Sequence, residues 1–132
     1  MEMEITFPGN LRVDSSYKGF AVHTDQPKDE GGDGTAPEPF DLFLSSIGTC
    51  AGVYILYFCR ERGIDGTGIK LKLVFHRNET THMVDEINMN ILLPPDFPRK
   101  YENAVRKVAG MCTVKKHIQT PPQFVISTSV NQ

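Results

Sequence analysis

PEPFDLFLSSIGTCAGVYILYFCRER, residues 37–62, is the longest apolar run of the chain and holds two of its three cysteines. It reads as one helix with a thiol inside it. From Leu42 through Cys59 no residue is charged. The apolar positions surround the helix instead of lining one stripe, so the helix is expected to be buried. Pro37 and Pro39 suit a first turn, whose amide groups lack helical partners, and Glu38 and Asp41 lie at the positive end of the macrodipole. Arg60 and Arg62 face the negative end, and Gly63 is a natural C-terminal cap. A membrane span needs about 20 mostly apolar residues. Ser45, Ser46, Gly48, Thr49 and Gly52 dilute this run, and nothing reads as a second span or a secretory leader, so a soluble chain is expected. Ser45, Gly48, Thr49 and Gly52 recur at helical spacing and predict tight helix or subunit packing.

Upstream, residues 2–7, 11–14 and 18–24 read as three short strands in an antiparallel meander. Pro8-Gly9-Asn10 and Ser15-Ser16 are read as the turns between them. The loop QPKDEGGDGTA, residues 26–36, is too short for a domain boundary. Within it Gly31-Gly32-Asp33-Gly34 has glycines that could cradle an anion, but it matches neither phosphate-loop signature and is expected to be a flexible connector. Downstream, IKLKLVFHR at 69–77 alternates strictly, with Ile69, Leu71, Leu73 and Phe75 on one face. Glu86 to Ile91 alternates likewise, and residues 78–82 supply a polar turn, which makes a hairpin with one wet face. Asp96 is placed to cap a second helix from Pro98 to Ala109, with Tyr101, Ala104, Val105 and Val108 as its apolar side. A short helix follows from Cys112, and Phe124 to Val130 reads as a last strand with Phe124, Ile126 and Val130 inward. About six strands and three helices make an α+β domain.

With 132 residues the chain fits one domain, 1–132, large enough for a core without staples. The net charge of -2 offers nothing to a polyanion. Arg99, Lys100, Arg106 and Lys107 read as the solvated face of their helix, and without stacking aromatics beside them nucleic-acid binding is not expected. Three cysteines, an odd number, point to free thiols in a reducing, cytoplasmic setting.

Cysteine is the strongest reactive candidate, since the thiolate is the nucleophile. Cys112 opens a short helix and is followed by Lys115, Lys116 and His117. Cys50 lies more than three turns inside its helix, beyond the reach of the dipole, and needs a cation from elsewhere. Each of these thiols also has a plain reading as a small apolar core residue, and Cys59, among aromatic and aliphatic neighbours, has little other. His23, His76, His82 and His117 are dispersed, so no metal site and no cofactor is expected.

At these cysteine segments the chain resembles the OsmC/Ohr family of thiol peroxidases, and more closely its OsmC-like branch. APEPFDLFLSSIGTC at 36–50 is similar to the family's small residue, proline and acid before an apolar helix that reaches a cysteine. Cys112-Thr113-Val114 with Ile118 resembles its second-cysteine helix, and the order of elements agrees over nearly the whole chain. The resemblance implies an OsmC-like α+β fold, with antiparallel sheets wrapped around long central helices in an intertwined homodimer. It implies reduction of a small organic hydroperoxide, with Cys50 peroxidatic, Cys112 resolving and a dithiol reductant, in oxidative-stress defence. Family peroxidases also place an arginine from the strand region and a glutamate near the helix start beside the first cysteine. Here no arginine occurs between Arg12 and Arg60. Lys28 stands at a comparable distance before Cys50, and the glutamate's place falls on Phe40, between Glu38 and Asp41. Lys28 and Glu38 are therefore the stand-ins, although a lysine does not reproduce a bidentate guanidinium clamp. The alternative is a noncatalytic OsmC-like thiol module that binds an apolar ligand or senses oxidants.

Overall fold

The computed structural model describes residues 1–130. The chain forms two compact units, residues 1–46 and residues 47 onward, and one long helix contains the boundary.

The first unit carries the meander: β1 (Glu4–Gly9), β2 (Arg12–Tyr17) and β3 (Phe20–Thr24), antiparallel in that order. The turn expected at Ser15-Ser16 does not exist. Both serines lie within β2, opposite Val22 and Ala21. The chain reverses instead at Lys18-Gly19, between the paired Tyr17 and Phe20, where φ is 52° and 80°. Two consecutive positive φ values match the right-handed twist of the flanking strands, which serine pairs do not offer. β1 likewise runs through Pro8 and Gly9, with an irregular register between Thr6 and Gly9, before the chain turns at Asn10.

The following loop is held, where a loose connector was expected. Asp25 has no exposed surface and accepts hydrogen bonds from the backbone of Gln26 (2.7 Å) and Thr35 (3.0 Å) and from the Thr35 hydroxyl (2.6 Å). Asp33 adds a longer one at 3.5 Å. These bonds favour the charged form and hold the carboxyl down at about 2 against its ordinary 3.8, led by the Thr35 hydroxyl. Inside the loop a 3-10 turn (Lys28–Glu30) ends at Gly31 with φ 93°.

Helix α1 spans Pro39–Glu61, two residues inside the expected start and one inside the expected end. Asp41 accepts the Glu38 backbone N–H at 3.2 Å, closing its first turn. At its end Gly63 takes φ 66°, while Ile64 N–H reaches the Cys59 carbonyl at 2.9 Å and Gly63 N–H the Arg60 carbonyl at 3.3 Å. This is a Schellman cap, with Ile64 packed against the core as its apolar contact. Within this chain α1 is not buried all round. Ile47, Ala51, Ile55, Phe58 and Cys59 form a buried stripe, whereas Phe40, Phe43, Val53, Leu56 and Tyr57 are exposed.

In the second unit, β4 (Lys70–Arg77) pairs with β5 (Val84–Leu92) as an antiparallel hairpin. The side chain of Asn78 accepts from the N–H groups of Thr80 and Thr81, both at 2.9 Å, which folds the connecting turn. A 3-10 turn (Arg99–Tyr101) leads into α2 (Glu102–Ala109), and α3 (Thr113–Gln119) follows. Asp96 caps nothing, because Pro98 precedes the 3-10 turn and no side chain caps either start. The core joins Ala51, Ile55, Phe58 and Cys59 of α1 to Phe97, Val105 and Ala109, with Ile69, Leu71, Met89 and Ile91 of the hairpin against it. Tyr101, Ala104 and Val108 pack there too, so the predicted apolar side of α2 is the packed one.

The last strand is a correction. Residues 121–130 have no ladder in this chain, and Phe124, Ile126 and Val130 are 82%, 90% and 91% exposed. Strand-forming side chains make a strand only where another strand offers its edge.

Candidate active site

Cys50 sits mid-helix on α1, half-buried, one turn after Ile47 and one turn before Tyr54. Cys112 is 2% exposed and takes the N-cap of α3, with φ -65° and ψ 150°. Its Sγ accepts the Lys115 backbone N–H at 3.4 Å, so the sulfur satisfies one of the orphan donors of a helix start. The two elements are tied by a hydrogen bond of 2.7 Å between the Tyr54 hydroxyl and the Thr113 hydroxyl. That bond lies one turn from Cys50 and one residue from Cys112. All three cysteines are free thiols.

Cys59 is different. It is 1% exposed in the core, and burial pushes its thiol up against the opposing pull of the Arg62 charge. The Arg62 guanidinium stacks over the Phe58 ring at 3.7 Å and donates to the Phe58 carbonyl at 3.1 Å. His117 turns its Nδ1 to the Thr113 carbonyl, 2.7 Å away, a bond that uses the Nδ1 proton within its own helix.

The other two candidate residues lie in the first unit. Lys28 is exposed in the 3-10 turn, and among the described residues no ion pair joins it to Glu38. Glu38 is half-buried just before α1, and its carboxyl is raised, first by lost solvation and then by the charges of Glu30 and Asp41. Gln26, with its amide nitrogen turned to this cluster, donates to Glu30 and Glu38 at 3.2 Å each. Phe40 stacks on Phe43 with ring centroids 5.7 Å apart. Sequence reading missed the Tyr54–Thr113 bridge beside the thiols and, within the first unit, the contacts of Asp25 and Gln26. None sits in a local motif, and the bridge joins residues far apart in the chain.

Chemically, the arrangement offers one half-exposed thiol on α1 and one buried thiol on a short helix bonded to it. Among the described residues no group of histidine, cysteine and acid side chains could hold a metal ion.

Comparison with known proteins finds solved structures of similar fold. A structure described as an osmotic stress induced and detoxification response protein from Psychrobacter arcticus superposes with TM-score 0.74 and 25% identity, covering 86% of this chain and 85% of that one. An OsmC-like protein from Mycoplasma pneumoniae gives TM-score 0.70 at 13% identity, over 91% and 87% of the two chains. An organic hydroperoxide resistance protein OsmC from Legionella pneumophila gives 0.53 at 15%, over 89% and 88%. At the two lower identities the likeness shows the fold alone. No curated protein matches the sequence significantly. The family model described as OsmC-like protein matches residues 32–127, which include both cysteine segments. The chain belongs to the OsmC-like protein family.

Proposed function

We propose that this protein is a thiol-dependent peroxidase of oxidative-stress defence, working on small organic hydroperoxides in the cytoplasm as a homodimer. The observation that carries the reading is the Tyr54–Thr113 hydrogen bond, which ties the Cys50 segment of α1 to the helix start at Cys112. In the cycle, the Cys50 thiolate attacks one peroxide oxygen and the O–O bond breaks. The leaving alkoxide takes a proton to become an alcohol, and Cys50 becomes a sulfenic acid. The Cys112 thiol then attacks the sulfenic sulfur, releasing water and forming a disulfide. A dithiol reduces that bond by exchange and is itself oxidised. The partners are thus a hydroperoxide and a dithiol, with no nucleic acid, membrane or cofactor.

Relatives described by hydroperoxide resistance and by osmotic stress and detoxification support the reading. So does the exposed apolar surface of α1, which by length and composition could cross a membrane but which a second copy would cover equally well. Residues 1–132 act in this reading as a single OsmC-like domain, with α1 running through both units. Lys28 and Glu38 are assigned only as stand-ins for the activating pair.

The test is turnover of cumene hydroperoxide with dithiothreitol as the dithiol. Cys50→Ser is expected to abolish it, and Cys112→Ser to leave a sulfenic acid that dimedone traps; full turnover in the Cys50 variant would end the proposal. A second reading is favoured by one observation, the absence of any arginine between Arg12 and Arg60. It is a noncatalytic thiol module that binds an apolar ligand or senses oxidants, and it predicts stoichiometric oxidation without turnover in the same assay.

A further inference from the structure

The second unit contains a cavity of about 420 Å³, within the size range of small-molecule sites. Ile87, Met89 and Ile91 point into it from alternate positions of β5, and Ile47, Ala109 and Ile118 close the apolar wall. Two cations line it as well. Arg106 lies one turn before Ala109 on α2, and Lys115 one turn before Ile118 on α3, so each helix presents an apolar residue and a cation to the same space. The Lys115 ammonium folds back over Gly110, 3.4 Å from where a Cβ there would stand. Among the described residues no acid lines the cavity. Among the described residues neither cation is in an ion pair, and Arg106 donates only to the neutral amide oxygen of Asn103. Glu102 lines an adjoining depression that shares Arg106, but it forms no ion pair with it.

An isoleucine-lined cavity with two uncompensated cations and no anion complements one chemistry: an aliphatic chain ending in a negative charge. We propose that this cavity binds a single-chain amphiphile with a carboxylate head. The chain lies along Ile87, Met89 and Ile118, and the carboxylate sits between Arg106 and Lys115. The guanidinium fork suits a carboxylate, and the apolar wall removes the chain from water. Arg106 thus leaves the solvated helix face expected of it and becomes the head-group residue. This site does not rest on peroxide chemistry, because it requires no thiol.

Isothermal titration of the full chain with decanoate, below its micelle-forming concentration, tests the proposal against decanol. Decanoate is expected to bind at least about tenfold more tightly than decanol, the scale of one charge-assisted hydrogen bond. Added salt should weaken decanoate alone. Arg106→Gln with Lys115→Gln should bring decanoate down to the decanol level. Equal binding of the two ligands, no binding, or full decanoate affinity in the double variant would overturn it. Methyl NMR of the unaltered chain keeps the test independent of variant folding: decanoate should shift the Ile87, Met89 and Ile118 signals, and shifts confined elsewhere would refute the site. The Cys50→Ser variant should bind decanoate normally, so failure here and failure of the peroxidase reading are distinguishable.

Discussion

Asp25 has no exposed surface, yet its carboxylate is fully partnered by Gln26, Thr35 and Asp33. Its folded value of about 2 lies below the ordinary 3.8, so its contribution is complete above about 4 and is lost as pH falls from 3.8 toward 2. Stability followed by urea unfolding should therefore drop in that window. Asp25→Asn should weaken the protein at neutral pH, since an amide cannot accept on its nitrogen, and should flatten the acid limb. Thiol reactivity is also decided residue by residue. Half-buried Cys50 should alkylate with iodoacetamide well before Cys59, whose thiol burial both shields and raises. Mass spectrometry of a brief labelling reads the order, and label on Cys59 first would contradict the packing described.

At the scale of elements, two glycines are required for different reasons. Gly63 holds φ 66° in the Schellman cap of α1, where an L side chain costs about 1–2 kcal/mol, so Gly63→Ala should lower unfolding stability by that amount. Gly32 is a matter of space. A Cβ there would stand 2.0 Å from the Gln26 carbonyl oxygen, a backbone atom that cannot swing aside. Gly32→Ala should displace the loop that Asp25 organises, read as lost amide-exchange protection at Thr35; retained protection would show that the loop adapts. The hairpin was legible from alternation alone, because one face of β4 and β5 meets the core and the other meets water. The meander was less so. Serine pairs resemble turns in composition, but only Lys18-Gly19 supplies the positive φ values that a two-residue reversal demands.

For the whole molecule, the notable surface is apolar. Phe7 and Phe20 of the meander, Leu56 and Tyr57 of α1, and Phe124, Val125 and Ile126 of the tail are all exposed in the single chain. Patches of this kind mark interaction surfaces. The proposed homodimer would cover them, and the tail, which pairs with no strand of its own chain, would pair there with a strand edge of the second copy. Sedimentation velocity should report a dimer for the full chain and weaker self-association when residues 121–132 are deleted. An equally tight dimer after the deletion would place the tail outside the seam.

The sequence by itself determined the limits of α1, the alternation of the hairpin, the apolar side of α2 and the helix opening at Cys112. Each of these rests on periodicity or capping chemistry that acts over a few neighbouring residues. Only the tertiary structure decided that Asp25 is a buried hub and that Tyr54 meets Thr113. It alone showed that α1 buries one stripe in its own chain, that Arg106 and Lys115 face a cavity and that the tail stays unpaired. These depend on contacts between residues far apart in the chain, for which composition and spacing carry no local signal.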